Sequence, residues 1–202
     1  MAVSSHRFGF PVRSALGSVA LNALVLLVVS GCSAGQGEGA LDGRFTSSTC
    51  GMTDADLGIE ATFFSIEHTE DLFEIRVQDG SDFEDRSDGI IITVRDASEV
   101  KREWLGRPIP VGGGSLVEVS LYMNETCGPS FGRRPVNFRA NEGTVTFEYI
   151  YAPSVDPDDM RIAGSLDGLR LVSGPDADSD NAEVSGWFRF YFNRGRPAQR
   201  FP

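Results

Sequence analysis

Apolar residues in this chain recur at every second position over several short windows. In DLFEIRVQ, residues 71–78, Phe73, Ile75 and Val77 alternate with Glu74, Arg76 and Gln78. In SLVEVSLYM, residues 115–123, Val117, Val119 and Leu121 alternate with Glu118 and Ser120. In GTVTFEYIY, residues 143–151, Val145, Phe147, Tyr149 and Tyr151 alternate with Thr146, Glu148 and Ile150. A period of two places successive side chains on opposite faces of a strand, one face dry and the other wet. No window shows a comparable helical stripe. ASEVKREWL, residues 97–105, suits two helical turns and is closed by Pro108 and Pro110.

Turn signals punctuate these windows at Asp79-Gly80, Asp88-Gly89, Gly112-Gly113-Gly114, Asn141-Glu142-Gly143 and Asp167-Gly168. The last separates IAGSL from LRLV by two residues, which predicts a tight hairpin. Many short strands so punctuated predict an all-β fold: a single β-sandwich or jelly-roll-like domain of roughly eight to ten strands over residues 44–202. An outer-membrane barrel needs an apolar row facing lipid, whereas these strands put Glu or Arg opposite the dry face. The expectation is therefore a soluble sandwich.

Residues 1–31 have a different character. Arg7 and Arg13 precede an apolar run, 14–29, that ends in the small residues Ser30 and Gly31. A basic start, a short apolar core and a small-residue end describe a signal peptide. The run is shorter than the ~20 residues of a permanent membrane helix. The four residues Val29-Ser30-Gly31-Cys32 resemble the lipobox of bacterial lipoproteins, with valine at a first position where leucine is common. The resemblance implies cleavage before Cys32, acylation of its thiol and of the new amino group, and attachment to a lipid bilayer. Ser33, rather than Asp, resembles the residue that permits sorting to the outer membrane of the cell envelope. Three acyl chains would make attachment effectively permanent, since two signals already suffice. Two outcomes compete with this one: an uncleaved anchor helix, or ordinary cleavage after Ala34 that releases a soluble protein. The segment SAGQGEGALDG, 33–43, carries Gly35, Gly37, Gly39 and Gly43. With Cys32 it is expected to form a flexible tether over 32–43.

Without Cys32, two cysteines remain, Cys50 and Cys127. In an oxidising compartment an isolated pair reads as a disulfide bond. The exported residues 32–202 keep 16 of the 18 basic residues against all 29 acidic ones, a net of −13. Such an acidic domain lacks the clustered cations that nucleic-acid binding needs. His68 is the only histidine outside the signal segment. Zinc sites of the HExxH type are thereby excluded, and His68 reads as a solvent-facing residue at a strand end.

Three features could carry recognition or chemistry. In GPDADSDNAEVSG, residues 174–186, Asp176, Asp178 and Asp180 alternate as in calcium loops, with Glu183 as a further oxygen donor. Trp187 falls where the bidentate Glu of an EF-hand belongs, so a solvated acidic turn competes strongly with a calcium site. Two other acidic stretches, 79–89 and 155–159, read as charged turns. In GWFRFYF, residues 186–192, Phe188, Phe190 and Phe192 share one face, while Trp187, Arg189 and Tyr191 share the other. The first set is core. The second suits a platform for a glycan or an envelope protein, or a local cation–π contact. Paired carboxylates of a surface hydrolase carry no weight here, because 29 acids satisfy any spacing. The expectation is a membrane-anchored envelope lipoprotein with a non-enzymatic binding or structural role. A calcium-dependent carbohydrate-binding module and a surface hydrolase are the alternatives.

Overall fold

A computed structural model describes residues 33–69, 72–80, 87–128, 132–174 and 180–192. Cys32, the signal segment, Asp176 and Asp178 lie outside the described residues. The alternating windows form strands β1 (Ser33–Ser47), β2 (Met52–Glu60), β3 (Phe63–Thr69), β4 (Leu72–Gln78) and β5 (Asp88–Val94). A helical segment follows: α1 (Ala97–Glu99) and a wider π turn, Val100–Trp104. Asp96 caps it, its carboxylate accepting from the Glu99 N–H at 2.7 Å. Then come β6 (Pro108–Pro110), β7 (Val117–Met123), β8 (Val136–Tyr149), β9 (Arg161–Val172) and β10 (Asn181–Phe192).

From β3 onward each long strand pairs antiparallel with the next, and β10 returns to pair with β1 from Gly35↔Phe192 to Thr46↔Asn181. The other edge of β1 is shared by β2 and β3: β2 covers residues 40–47 and β3 covers 33–35. β6 lies along β8. The result is a closed eight-stranded antiparallel barrel with two added strands. The all-β expectation holds, and the sandwich is corrected to a barrel. Alternation shows which face of a strand is dry but not which strand is its neighbour, and both architectures share the pattern.

The barrel interior is solid. Inward residues of β1, β4, β5, β7 and β10, such as Leu41, Phe45, Ile75, Ile92, Leu121 and Phe188, are buried. Aromatic rings step through it: Phe64 stacks on Phe190 at 5.2 Å, and Tyr151 meets Phe192 edge-on at 5.1 Å. Phe147 meets Phe188 in the same way at 6.2 Å. An eight-stranded barrel is just wide enough for side chains to fill it, and here they do. Charged residues such as Arg44, Glu142, Arg170 and Glu183 stand outside. That is the reverse of a lipid-facing wall.

Glycines set the shape, and they overturn two expectations. Residues 33–43 are not a tether but most of β1. Their glycines lie against β10: a Cβ on Gly37 would come within 2.3 Å of the Phe190 Cβ, and one on Gly43 within 1.9 Å of the Glu183 carbonyl oxygen. Glycine there permits close strand approach, with Phe190 covering the gap, so a composition that reads as flexible is the signature of tight packing. Likewise Asn141-Glu142-Gly143 and Asp167-Gly168 are not hairpin turns. They are irregularities inside β8 and β9, where the pairing shifts between Ala140 and Thr144. Gly143 and Gly168 take the positive φ values of 109° and 57° that L side chains resist. Such bulges bend a strand so that a sheet can close.

The two ends differ. At the upper end, a Cys50–Cys127 disulfide bonds the turn after β1 to the loop after β7. A buried carboxylate organises each half. Asp180 accepts from Ser47 Oγ at 2.8 Å, Ser48 N–H at 2.7 Å and Ser48 Oγ at 2.8 Å. Asp88 accepts from the Glu125 N–H at 2.9 Å and the Thr126 N–H at 3.1 Å. The acidic stretches between β4 and β5 and between β9 and β10 leave from this end, while 155–159 belongs to the lower end, where β1 begins.

Candidate functional site

The outward face of β10 holds the candidate surface. Phe188, Phe190 and Phe192 are inside, as their spacing requires, and Trp187 and Tyr191 stand 42% and 51% exposed on the wall. The register supplies their neighbours. Arg189 lies between Glu38 of β1 and Ala163 of β9, and Tyr191 lies between Gln36 and Arg161. Tyr149 of β8 pairs with Ala163 from the far side. A small residue flanked by large ones leaves a groove: about 420 Å³, floored by Ala163 and walled by Tyr149, Arg161, Arg189 and Tyr191.

Tyr149 reaches this wall through a bulge. Strict alternation puts it in phase with Phe147 and Tyr151, on the dry face. The pairing shifts between Phe147 and Tyr149, so Tyr149 turns out to solvent while Ile150 and Tyr151 are both buried. That expectation is corrected. Tyr149, Arg161 and Glu38 are members of the site that the sequence pattern does not single out, because strand register brings them together.

Both arginines are held. The Arg161 guanidinium lies 4.1 Å from the Tyr149 ring centroid and donates to Asp159 through Nε at 2.7 Å. Asp159 also accepts from Lys101 Nζ, the chain's only lysine, at 3.1 Å. The Arg161 hydrogen bond, helped by Lys101 and opposed by burial, holds the Asp159 carboxyl down at about 2. Arg189 donates through Nε to Glu38 at 3.0 Å, and its guanidinium lies 5.8 Å from the Trp187 ring centroid. The cation–π contact expected for this pair is therefore present. With each cation neutralised by a carboxylate, the groove offers aromatic rims and saturated polar groups, which suits stacking and interfacial contact.

The calcium candidates divide. Asp180 is 4% exposed, and its oxygens serve Ser47 and Ser48. Burial opposes its ionisation, but the bonds from Ser48 and Ser47 outweigh that and keep its pKa lowered. Glu183 stands on the outer wall, 3.5 Å from Arg170. Among the described residues no three His, Cys, Asp or Glu side chains gather as metal ligands. His68 is exposed and stacks on Phe73 at 5.3 Å, as its strand-end position predicts.

A second groove of about 600 Å³ follows the line of glycine bulges past Gly43, Gly143 and Gly168, between Arg44, Glu142 and Arg170. Its walls are exposed, ion-paired side chains, so it adds no chemistry of its own. The chain matches no known protein family, no curated protein and no solved structure.

Proposed function

We propose that this chain is an envelope lipoprotein, anchored in the outer membrane through an acylated Cys32, whose barrel serves as a non-enzymatic binding or structural module. The observation that carries the reading is the junction of motif and fold. The lipobox cysteine is followed at once by Ser33, the first residue of β1. A filled interior leaves contact with other molecules to the outer wall, and the Tyr149–Arg161–Arg189–Tyr191 groove is the surface best shaped for it.

Fractionating cells that express the full chain tests the anchor. Wild-type protein is expected in the membrane fraction, with an N-terminal peptide heavier by its acyl groups. The Cys32→Ser chain is expected in the soluble exported fraction. Retention of Cys32→Ser in membranes would favour an uncleaved helix and refute lipidation as the attachment.

A further inference from the structure

Because β1 starts at Ser33, an acyl-cysteine at position 32 leaves the barrel almost no slack. Tyr191 pairs with Gln36, four residues from Cys32, a distance of about 13 Å along a strand. β3 reaches further still. Ser33 pairs with Ile66, so Thr69 and its partner Leu72 lie about three strand residues, roughly 10 Å, past the start of β1. The 150–160 connection between β8 and β9 belongs to the same end.

This end carries apolar side chains that the fold leaves uncovered. Leu72, Tyr149, Val155 and Tyr191 are all exposed there. Tyrosine, with an apolar ring and a polar tip, favours the boundary between headgroups and acyl chains. The charge distribution points the same way: two of the three acidic stretches, 79–89 and 174–186, leave the barrel at the opposite, disulfide-bonded end. The third, 155–159, lies at this end, where Lys101 and Arg161 pair with Asp156 and Asp159, so an anionic bilayer would repel this end less than the other.

We infer that the lower rim of the barrel lies on the bilayer that holds Cys32, with Leu72, Tyr149, Val155 and Tyr191 seated at the headgroup level and the disulfide end directed away. This rests on the lipoprotein reading and names the partner of its groove. The membrane is then both the anchor and the surface that orients the module.

The test uses full-length acylated protein in phosphatidylethanolamine–phosphatidylglycerol vesicles. A nitrobenzoxadiazole dye is placed on Leu72→Cys, Val155→Cys or, at the far end, Asp56→Cys. All three sites are exposed, so the core is left intact. Dyes at 72 and 155 are expected to emit at shorter wavelength and to be quenched by aqueous iodide several-fold less than the dye at 56. Equal quenching at all three sites would overturn the docking while leaving the anchor in place. An N-terminal peptide without acyl groups, measured on the same preparation, would overturn the anchor and the docking together.

Discussion

Replacing Asp159 by Asn removes one charge from the clamp that ties Lys101 to Arg161. Asp159 is 14% exposed and bonded to Arg161 Nε at 2.7 Å and Lys101 Nζ at 3.1 Å, and its carboxyl is held at about 2 against an ordinary 3.8. Folding therefore lowers this pKa. Between the two values the unfolded chain binds more protons than the native one, so stability rises with pH there. The contribution is complete above the unfolded value and is lost as pH falls through the folded value near 2. At 1.36 kcal/mol per unit the shift amounts to roughly 2 kcal/mol at neutral pH, an upper figure because water partly screens the site. Urea unfolding of the chain from Ser33 onward, followed by tryptophan fluorescence, reads the effect directly. A loss of that size moves the midpoint by about 1 M for a slope near 2 kcal/mol/M. Asp159→Asn is expected to lie below wild type by this amount at pH 7, and the gap is expected to shrink steadily between pH 4 and pH 2. Taking the difference between the two proteins cancels the acid response of the other carboxylates. A gap that stays constant across this range would refute the electrostatic origin and leave only a change in packing.

Three further outcomes can be checked on the same domain. Removing the Cys50–Cys127 bond, which closes a 77-residue separation, should lower stability by about 4–5 kcal/mol, seen as a lower urea midpoint in the double alanine variant. Gly43→Ala, which aims a methyl group at the Glu183 carbonyl, should cost about 1–3 kcal/mol, whereas Gly58→Ala, with nothing within 4 Å, should leave the melting temperature nearly unchanged. Asp180→Ala leaves Ser47 and Ser48 without their shared acceptor and should cost about 1–3 kcal/mol in a thermal melt.

The sequence makes the strands legible and the barrel illegible. Phe73, Ile75 and Val77, or Val117, Val119 and Leu121, are buried in the phase that their spacing predicts. The Cys50–Cys127 bond also follows from counting. Closure does not, because nothing in the β10 sequence states that Phe192 will face Gly35. Glycine misled in both directions. Its abundance in 33–43 read as flexibility, and its presence at 143 and 168 read as chain reversal, when both serve continuous, bent strands. The candidate site was half visible: Trp187, Arg189 and Tyr191 share a face of one strand, but their neighbours come from β1, β8 and β9 by register. Tyr149 was hidden by the bulge that moves it out of phase.

The seam between β1 and β10 has a consequence in time. Along one edge of β1, the twelve residues from Gly35 to Thr46 pair with the last described strand. A chain emerging from its N-terminus makes the β3–β4 and β4–β5 hairpins early. The long edge of β1 then waits for almost the whole remaining sequence. Such order makes closure the late, slow event and keeps the barrel open until β10 has been made. Any enzyme that must reach residues just ahead of β1 would have that interval in which to act on an unfolded substrate.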